Sequence, residues 1–132
     1  MTNLTTLFVY GTLRPIASSV MGADERARLA GEAHYLGPAT TAGTLLDLGA
    51  YPGLAEGPGL VRGGLYALSE PAITFAWLDT YEGIKGADRD EYRRCRRTVT
   101  QVDGTELVAW VYIFVRSADG IRAIASGDWL IG

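Results

Sequence analysis

Apolar positions come in short runs broken by glycine, and only one stretch carries a helical stripe of any length. Leu7 to Tyr10 is apolar and β-prone, a short buried strand that Gly11 stops at once. Asp24 to Ala30, rich in Ala, Glu and Arg, predicts a short helix with Gly31 as its stop. Glu32 to Leu48 predicts one or two irregular strands, bent or bulged at Gly37-Pro38 and Gly43. Ala50 to Gly59 is dense in Gly and Pro and reads as loop, and Val61 to Leu68 is the next strand. Ser69 to Tyr81 is the clearest helix. Ser69 serves as its cap, Pro71 sits in the first turn, and Ile73, Ala76, Trp77 and Tyr81 form an apolar stripe. Gly83 stops it. Lys85 to Glu91 is a charged loop. Tyr92–Val102 and Thr105–Val115 are long strands joined by Asp103-Gly104, a strong hairpin signal. The tail from Ser117 predicts a helical turn around Ile121 to Ala125.

This order gives an α+β fold with a dominant, largely antiparallel sheet. The 17 glycines and the many short strands suggest a sheet curled into a small barrel. A length of 132 residues, without internal repeat or linker, predicts a single domain over 1–132 with a real core.

Composition narrows the function by exclusion. A net charge of −3 gives no general attraction to nucleic acid or anionic membrane. The longest apolar run, Leu107 to Val115, is too short to span a bilayer. No basic residue precedes an apolar core at the N-terminus, so a secretory signal is not expected. The lone Cys95 cannot form an internal disulfide. The default is therefore a cytoplasmic protein. His34 is the only histidine, no G-x-S-x-G flanks a serine, and no Cys/His cluster predicts a zinc site. No phosphate-binding glycine loop is present. His34 reads as a surface residue and Cys95 as a small packed side chain. Arg93 to Arg97 alternates faces in a strand, with Asp88, Asp90 and Glu91 just before it. It reads as a solvated strand with local ion pairs rather than a nucleic-acid patch.

Two places carry chemistry. At Tyr10-Gly11-Thr12-Leu13, a glycine directly after a strand allows φ > 0 or a close approach to a ligand. The turn can gather backbone N–H groups for an anion or carbonyl oxygen. An ordinary β-turn is the competing reading and, on this stretch alone, the favoured one. Glu82 lies at the negative end of the Ser69–Tyr81 helix, three residues after Asp79, where dipole, like charge and partial burial all raise its proton affinity. A Glu so placed suits a proton shuttle near neutral pH. On local grounds a solvated helix-end Glu without a role comes first.

Phe8-Val9-Tyr10-Gly11-Thr12-Leu13-Arg14 resembles the opening signature of the γ-glutamylcyclotransferase-like family, in its AIG2-like branch that includes γ-glutamylamine cyclotransferases. Family-like pieces follow in order: Tyr51-Pro52-Gly53-Leu54, Val61-Arg62-Gly63-Gly64-Leu65-Tyr66, Leu78-Asp79-Thr80-Tyr81-Glu82-Gly83, Tyr92-Arg93-Arg94 and Ala109-Trp110-Val111-Tyr112. The resemblance covers nearly the whole chain; Asp119 to Trp129 has no clear counterpart. It implies a small mixed β-barrel with flanking helices, a substrate-binding loop at Tyr10, Gly11, Thr12 and Leu13, and Glu82 as catalytic acid/base. It implies conversion of a γ-glutamyl amide or peptide to 5-oxoproline and a free amine, with no metal or organic cofactor. The only partner implied is the small γ-glutamyl substrate, with no nucleic acid and no membrane. Tyr51, Tyr66, Tyr92 and Tyr112 are further candidates for the pocket wall. Competing readings are a non-catalytic module binding a small metabolite or a protein terminus, and an amide hydrolase using the same Glu to activate water. Glu82 favours catalysis over binding but does not separate cyclisation from hydrolysis.

Overall fold

The computed structural model describes residues 4–86 and 89–131. Its elements are β1 (Thr6–Val9), α1 (Ala23–Glu32), β2 (Ala33–Asp47), β3 (Pro52–Leu68), α2 (Pro71–Tyr81), β4 (Tyr92–Gln101) and β5 (Glu106–Phe114). The strands form a closed barrel in the order β1-β3-β2-β4-β5. Neighbours along that order run antiparallel, and the closure is parallel: β1 meets β5 at Leu7 and Trp110, and the start of β3 meets β5 at Leu54 and Ile113. This is the mixed barrel with flanking helices that the sequence predicts.

Alternation along the strands divides the core in two. Phe8, Tyr10, Leu45, Leu54, Val61, Leu65, Val99, Val111 and Ile113 pack inside the barrel. Leu7, Val9, Tyr66, Tyr112 and Phe114 point outwards and are covered with Leu29 of α1 and Phe75 and Leu78 of α2. The helices are tied together by Glu32, whose carboxylate accepts hydrogen bonds from Thr74 Oγ1 at 2.7 Å and Trp77 Nε1 at 2.9 Å. These bonds, the Trp77 one above all, hold its pKa below the usual carboxylate range.

Four sequence expectations need correction. Ala50 to Gly59 is not one loop: Pro52 to Ala55 pair with Asp47 to Thr44, and the strand resumes at Leu60 opposite Ala42. Only Glu56 to Gly59 bulge out, where Gly57 and Gly59 take φ of 152° and 115° and the Pro58 carbonyl accepts from Thr44 Oγ1. Pro52 is tolerated as the first strand residue, and Gly53 sits where a Cβ would meet Phe114 at 3.0 Å. The cap of α2 falls one residue later than expected, at Glu70, without a side-chain hydrogen bond, and the Ser69 N–H donates to the Glu32 carbonyl at the end of α1. The buried face of α2 is Thr74, Phe75 and Leu78, with Trp77 partly covered, whereas Ile73 is 52% exposed and Tyr81 39%. Thr74 replaces Ile73 inside because its hydroxyl has a partner in Glu32. The tail makes no helical turn at Ile121 to Ala125. It lies along β2 instead, bridging Leu46 to Ala123, with Ile124 N–H on the Leu45 carbonyl and its side chain on the barrel interior.

Other expectations hold. The stretch expected as one or two irregular strands is a single strand, Ala33–Asp47, with irregularities at Tyr35/Gly37 and Ala42/Thr44. The hairpin turns at Asp103-Gly104, with Gly104 at φ 87° and the Asp103 carboxylate accepting from Thr105 N–H. His34 is exposed and Cys95 is partly buried against the barrel interior. Arg94 and Arg97 of β4 are ion-paired, but with Asp79 and Glu56, distant in sequence, rather than with the acids just before the strand. Asp88 lies outside the described residues.

Candidate active site

β5 is paired by β1 at Trp110 and by the start of β3 at Ile113. At this changeover β1 leaves the barrel, and a cavity of about 420 Å³ opens there. Its walls come from the stretch Phe8 to Leu13, the Tyr51-Pro52 entry to β3, the end of α2 at Tyr81-Glu82-Gly83, and Tyr92 and Tyr112 of the hairpin. Glu82 and the Tyr10–Leu13 stretch, some seventy residues apart in sequence, therefore face one space.

The loop is shaped by its own turn and by its surroundings. Arg14 N–H donates to the Gly11 carbonyl at 3.2 Å, so Gly11 is the first residue of a β-turn, a place that needs no positive φ. The φ > 0 option for Gly11 is thus corrected: it is not among the left-handed glycines. Its glycine is favoured by packing instead, since a Cβ would sit 3.2 Å from Pro52 Cγ and 3.3 Å from Cδ and make Pro52 yield by a few tenths of an ångström. Tyr10 turns its ring into the barrel. Its hydroxyl donates to the Tyr112 carbonyl at 2.6 Å and accepts from Leu54 N–H at 3.1 Å, and burial pushes its pKa up. Leu13 is buried in the outer core, its carbonyl 3.4 Å from the Tyr66 hydroxyl. The Thr12 carbonyl takes a 2.7 Å bond from Arg26 Nη1 of α1, and its side chain is hydrogen-bonded with the Tyr81 hydroxyl. With Tyr10 and Leu13 anchored by their side chains, what the loop offers the cavity is chiefly its backbone.

Glu82 is the C-cap of α2, αR at φ −78°, and the helix ends behind it in a Schellman motif. Ile84 N–H reaches the Asp79 carbonyl at 2.9 Å, Gly83 N–H reaches Thr80 at 3.0 Å, and Gly83 takes φ 77°. The turn fixes where Glu82 stands. Burial in the cavity wall, and secondarily the charge of Asp79, push its pKa up to about 7. Burial outweighs the like charge that the sequence brought forward.

Beneath Glu82 lies a network that sequence reasoning missed. Asp79 Oδ1 accepts from Tyr112 OH at 2.6 Å and from Arg94 Nε at 3.0 Å, and Oδ2 accepts from Arg94 Nη2 at 3.2 Å. The Arg94 guanidinium lies 3.9 Å from the Phe75 ring centroid and 4.6 Å from that of Trp110. A signal existed: the tight hairpin turn sets a register in which Arg94 faces Tyr112 across the strands. Met21, Pro52, Tyr81, Gly83 and Glu91 also line the cavity without having been singled out. Of the four tyrosine candidates, Tyr51, Tyr92 and Tyr112 do line it. Tyr92 OH donates to the Pro52 carbonyl at 2.6 Å, and Tyr51 OH to Glu91 at 2.7 Å. Tyr66 faces a different hollow, between α1 and β2.

A barrel with this cavity at a strand changeover defines a class, and comparison with known proteins supplies its name. Residues 7–131 match the family model "Gamma-glutamyl cyclotransferase, AIG2-like", and the chain belongs to that family. It is 32% identical to the γ-glutamylcyclotransferase family protein YtfP of Escherichia coli K12 over 131 residues, 94% of this chain and 95% of that one. It is 38% identical over 125 residues to a putative γ-glutamylcyclotransferase of Vibrio cholerae, covering 93% of each. Among solved structures, an AIG2-like protein from mouse superposes with a TM-score of 0.69 at 22% identity, over 89% of this chain and 82% of that one. Among the described residues, no helix is long and apolar enough to cross a membrane.

Proposed function

We propose that this chain is a γ-glutamyl cyclotransferase that converts a γ-glutamyl amide or peptide into 5-oxoproline and a free amine, acting as one domain without metal or organic cofactor. The α-amine of the glutamyl group attacks its own γ-carbonyl. A C–N bond forms to close the five-membered ring, the γ-amide C–N bond breaks, and the departing nitrogen gains a proton. Nucleophile and electrophile already share one molecule, so the main task left to the protein is to hold the reactive conformer. The second task is proton traffic. Glu82 takes the proton that the α-nitrogen loses and returns it to the leaving nitrogen.

The observation that carries this reading is a Glu82 carboxyl whose pKa stands near 7, in the same cavity as the Tyr10–Leu13 backbone. A carboxyl half-protonated at neutral pH is suited to both transfers. The backbone of Gly11 to Leu13, on the opposite wall, is the candidate to receive the substrate carboxylate or the developing oxyanion.

The test is Glu82→Gln, which keeps the size and cannot shuttle a proton. Turnover of γ-glutamyl amines is expected to fall by roughly 10²-fold or more with the fold intact. A folded variant at near wild-type rate ends the assignment. Mass spectrometry of the products separates the alternatives: 5-oxoproline marks cyclisation, free glutamate marks hydrolysis, and unchanged substrate marks a binding module.

A further inference from the structure

Resting on that reading of Glu82, we propose that Asp79, clamped by Arg94 and Tyr112, is a positioning residue whose fixed charge sets how readily the Glu82 carboxyl holds its proton. Three features of the packing point there. Asp79 precedes Glu82 by three residues, so both side chains leave the same face of the last turn of α2. Both carboxylate oxygens of Asp79 are engaged, in a bidentate grip by Arg94 and a short bond from Tyr112. Arg94 is itself held between the Phe75 and Trp110 rings, so neither partner can swing away without unpacking the α2–β5 contact. An exposed helical Asp paired to a mobile Arg would leave no lasting field. Here the anion is held in place by two partners, and one of them, Arg94, is itself packed on aromatic rings.

Few other charges compete. The tyrosines around Glu82 on the loop and strands, Tyr10, Tyr51, Tyr92 and Tyr112, are all shifted above their ordinary value, so they stay neutral through the working range. Tyr81 on α2 is shifted the same way. From the segment before β4, Glu91 lines the cavity and accepts from Tyr51, while Asp90 accepts from the N–H groups of Lys85 and Gly86. Asp79 is thus the anion one helical turn from Glu82, and Arg94, as its counter-cation, acts on Glu82 in the opposite direction.

That opposition gives the test. The Glu82 carboxyl is followed by ¹³C NMR in protein labelled at glutamate side-chain carboxyls, its signal assigned by loss in Glu82→Gln. Asp79→Asn removes the anion and is expected to lower the Glu82 midpoint by about half to one pH unit. Arg94→Met leaves the anion without its cation and is expected to raise the midpoint by a similar amount, with Arg94→Lys in between. The acidic limb of turnover against pH should follow in the same order. Midpoints that stay at the wild-type value, or that move in the same direction for Asp79→Asn and Arg94→Met, overturn the proposal. If Arg94→Met does not fold, Asp79→Asn and Arg94→Lys alone must still move the midpoint apart. The titration needs no turnover, so it is independent of whether Glu82→Gln retains activity. A failed catalytic assignment and a failed tuning role therefore give different results.

Discussion

At the scale of single residues, Glu82 sets function against stability. Its carboxyl titrates near pH 7 in the folded chain and near 4.5 when unfolded. Between those values the folded state binds more protons, so this group's contribution to stability is greatest below pH 4.5 and is lost as pH rises towards 7. At about 1.4 kcal/mol per pKa unit, the ionised group costs the fold roughly 3 kcal/mol above pH 8. Glu82→Gln removes that cost and nothing else that titrates. Urea unfolding is therefore expected to show wild type and variant nearly equally stable near pH 4.5, and the variant more stable by roughly 3 kcal/mol at pH 8.5. A difference that stays flat with pH would place Glu82 in water in the folded state. The position of this residue was legible in the sequence from the helix end and Asp79. Partial burial was expected as well, but not that it would be the largest effect, because its extent depends on the loop and the hairpin around the helix end.

At the scale of elements, local signals worked where the chain decides alone and failed where a distant strand decides. The Asp103-Gly104 hairpin and the Gly83 helix stop are local geometry, and both stand as read. The Pro52–Ala55 stretch looks like loop by composition, yet it is strand because Thr44 to Asp47 offer it a ladder. The same override explains Gly11. Its glycine answers to Pro52, forty residues away in sequence, and not to its own φ. A methyl group there needs Pro52 to yield by a few tenths of an ångström, whereas a branched side chain cannot be met so cheaply. Since the Pro52 carbonyl also holds the Tyr92 hydroxyl, displacement spreads along the cavity wall. Gly11→Ala is expected to bind 5-oxoproline nearly as wild type does. Gly11→Val is expected to bind it at least about tenfold more weakly with an unchanged circular dichroism spectrum. Calorimetric titration of both decides, and equal affinities for wild type and Gly11→Val would make the loop mere scaffold.

At the scale of the whole molecule, the alternation of the strands foretold a curled sheet, but the closure was invisible, because a parallel contact between β1 and β5 leaves no local mark. Nor did the tail announce that it would lie on β2 and cover the barrel interior. A buried ion pair joins the tail to the loop after β1. Arg14, at the exit of the Tyr10–Leu13 loop, donates through Nη1 to Asp128 Oδ1 at 2.8 Å, with both side chains 8% exposed. Asp128 Oδ1 also accepts from Leu130 N–H at 3.0 Å, and Arg14 Nε is buried without a partner. Removing one member of a buried pair strands the other, typically at 3–5 kcal/mol. Arg14→Met leaves the Asp128 carboxylate with the Leu130 N–H alone, but it also removes the orphaned Nε, which brings the expected loss to the lower end, about 3 kcal/mol. Adding Asp128→Asn neutralises the stranded charge and keeps an acceptor for Leu130, so the double variant is expected to recover more than half of that loss. Chemical denaturation of the two single variants and the double one gives the coupling directly. Arg14→Met within about half a kcal/mol of wild type, or a double variant no more stable than Arg14→Met, would mean that the tail is held by its backbone contacts to Leu45, Asp47 and Arg62 instead.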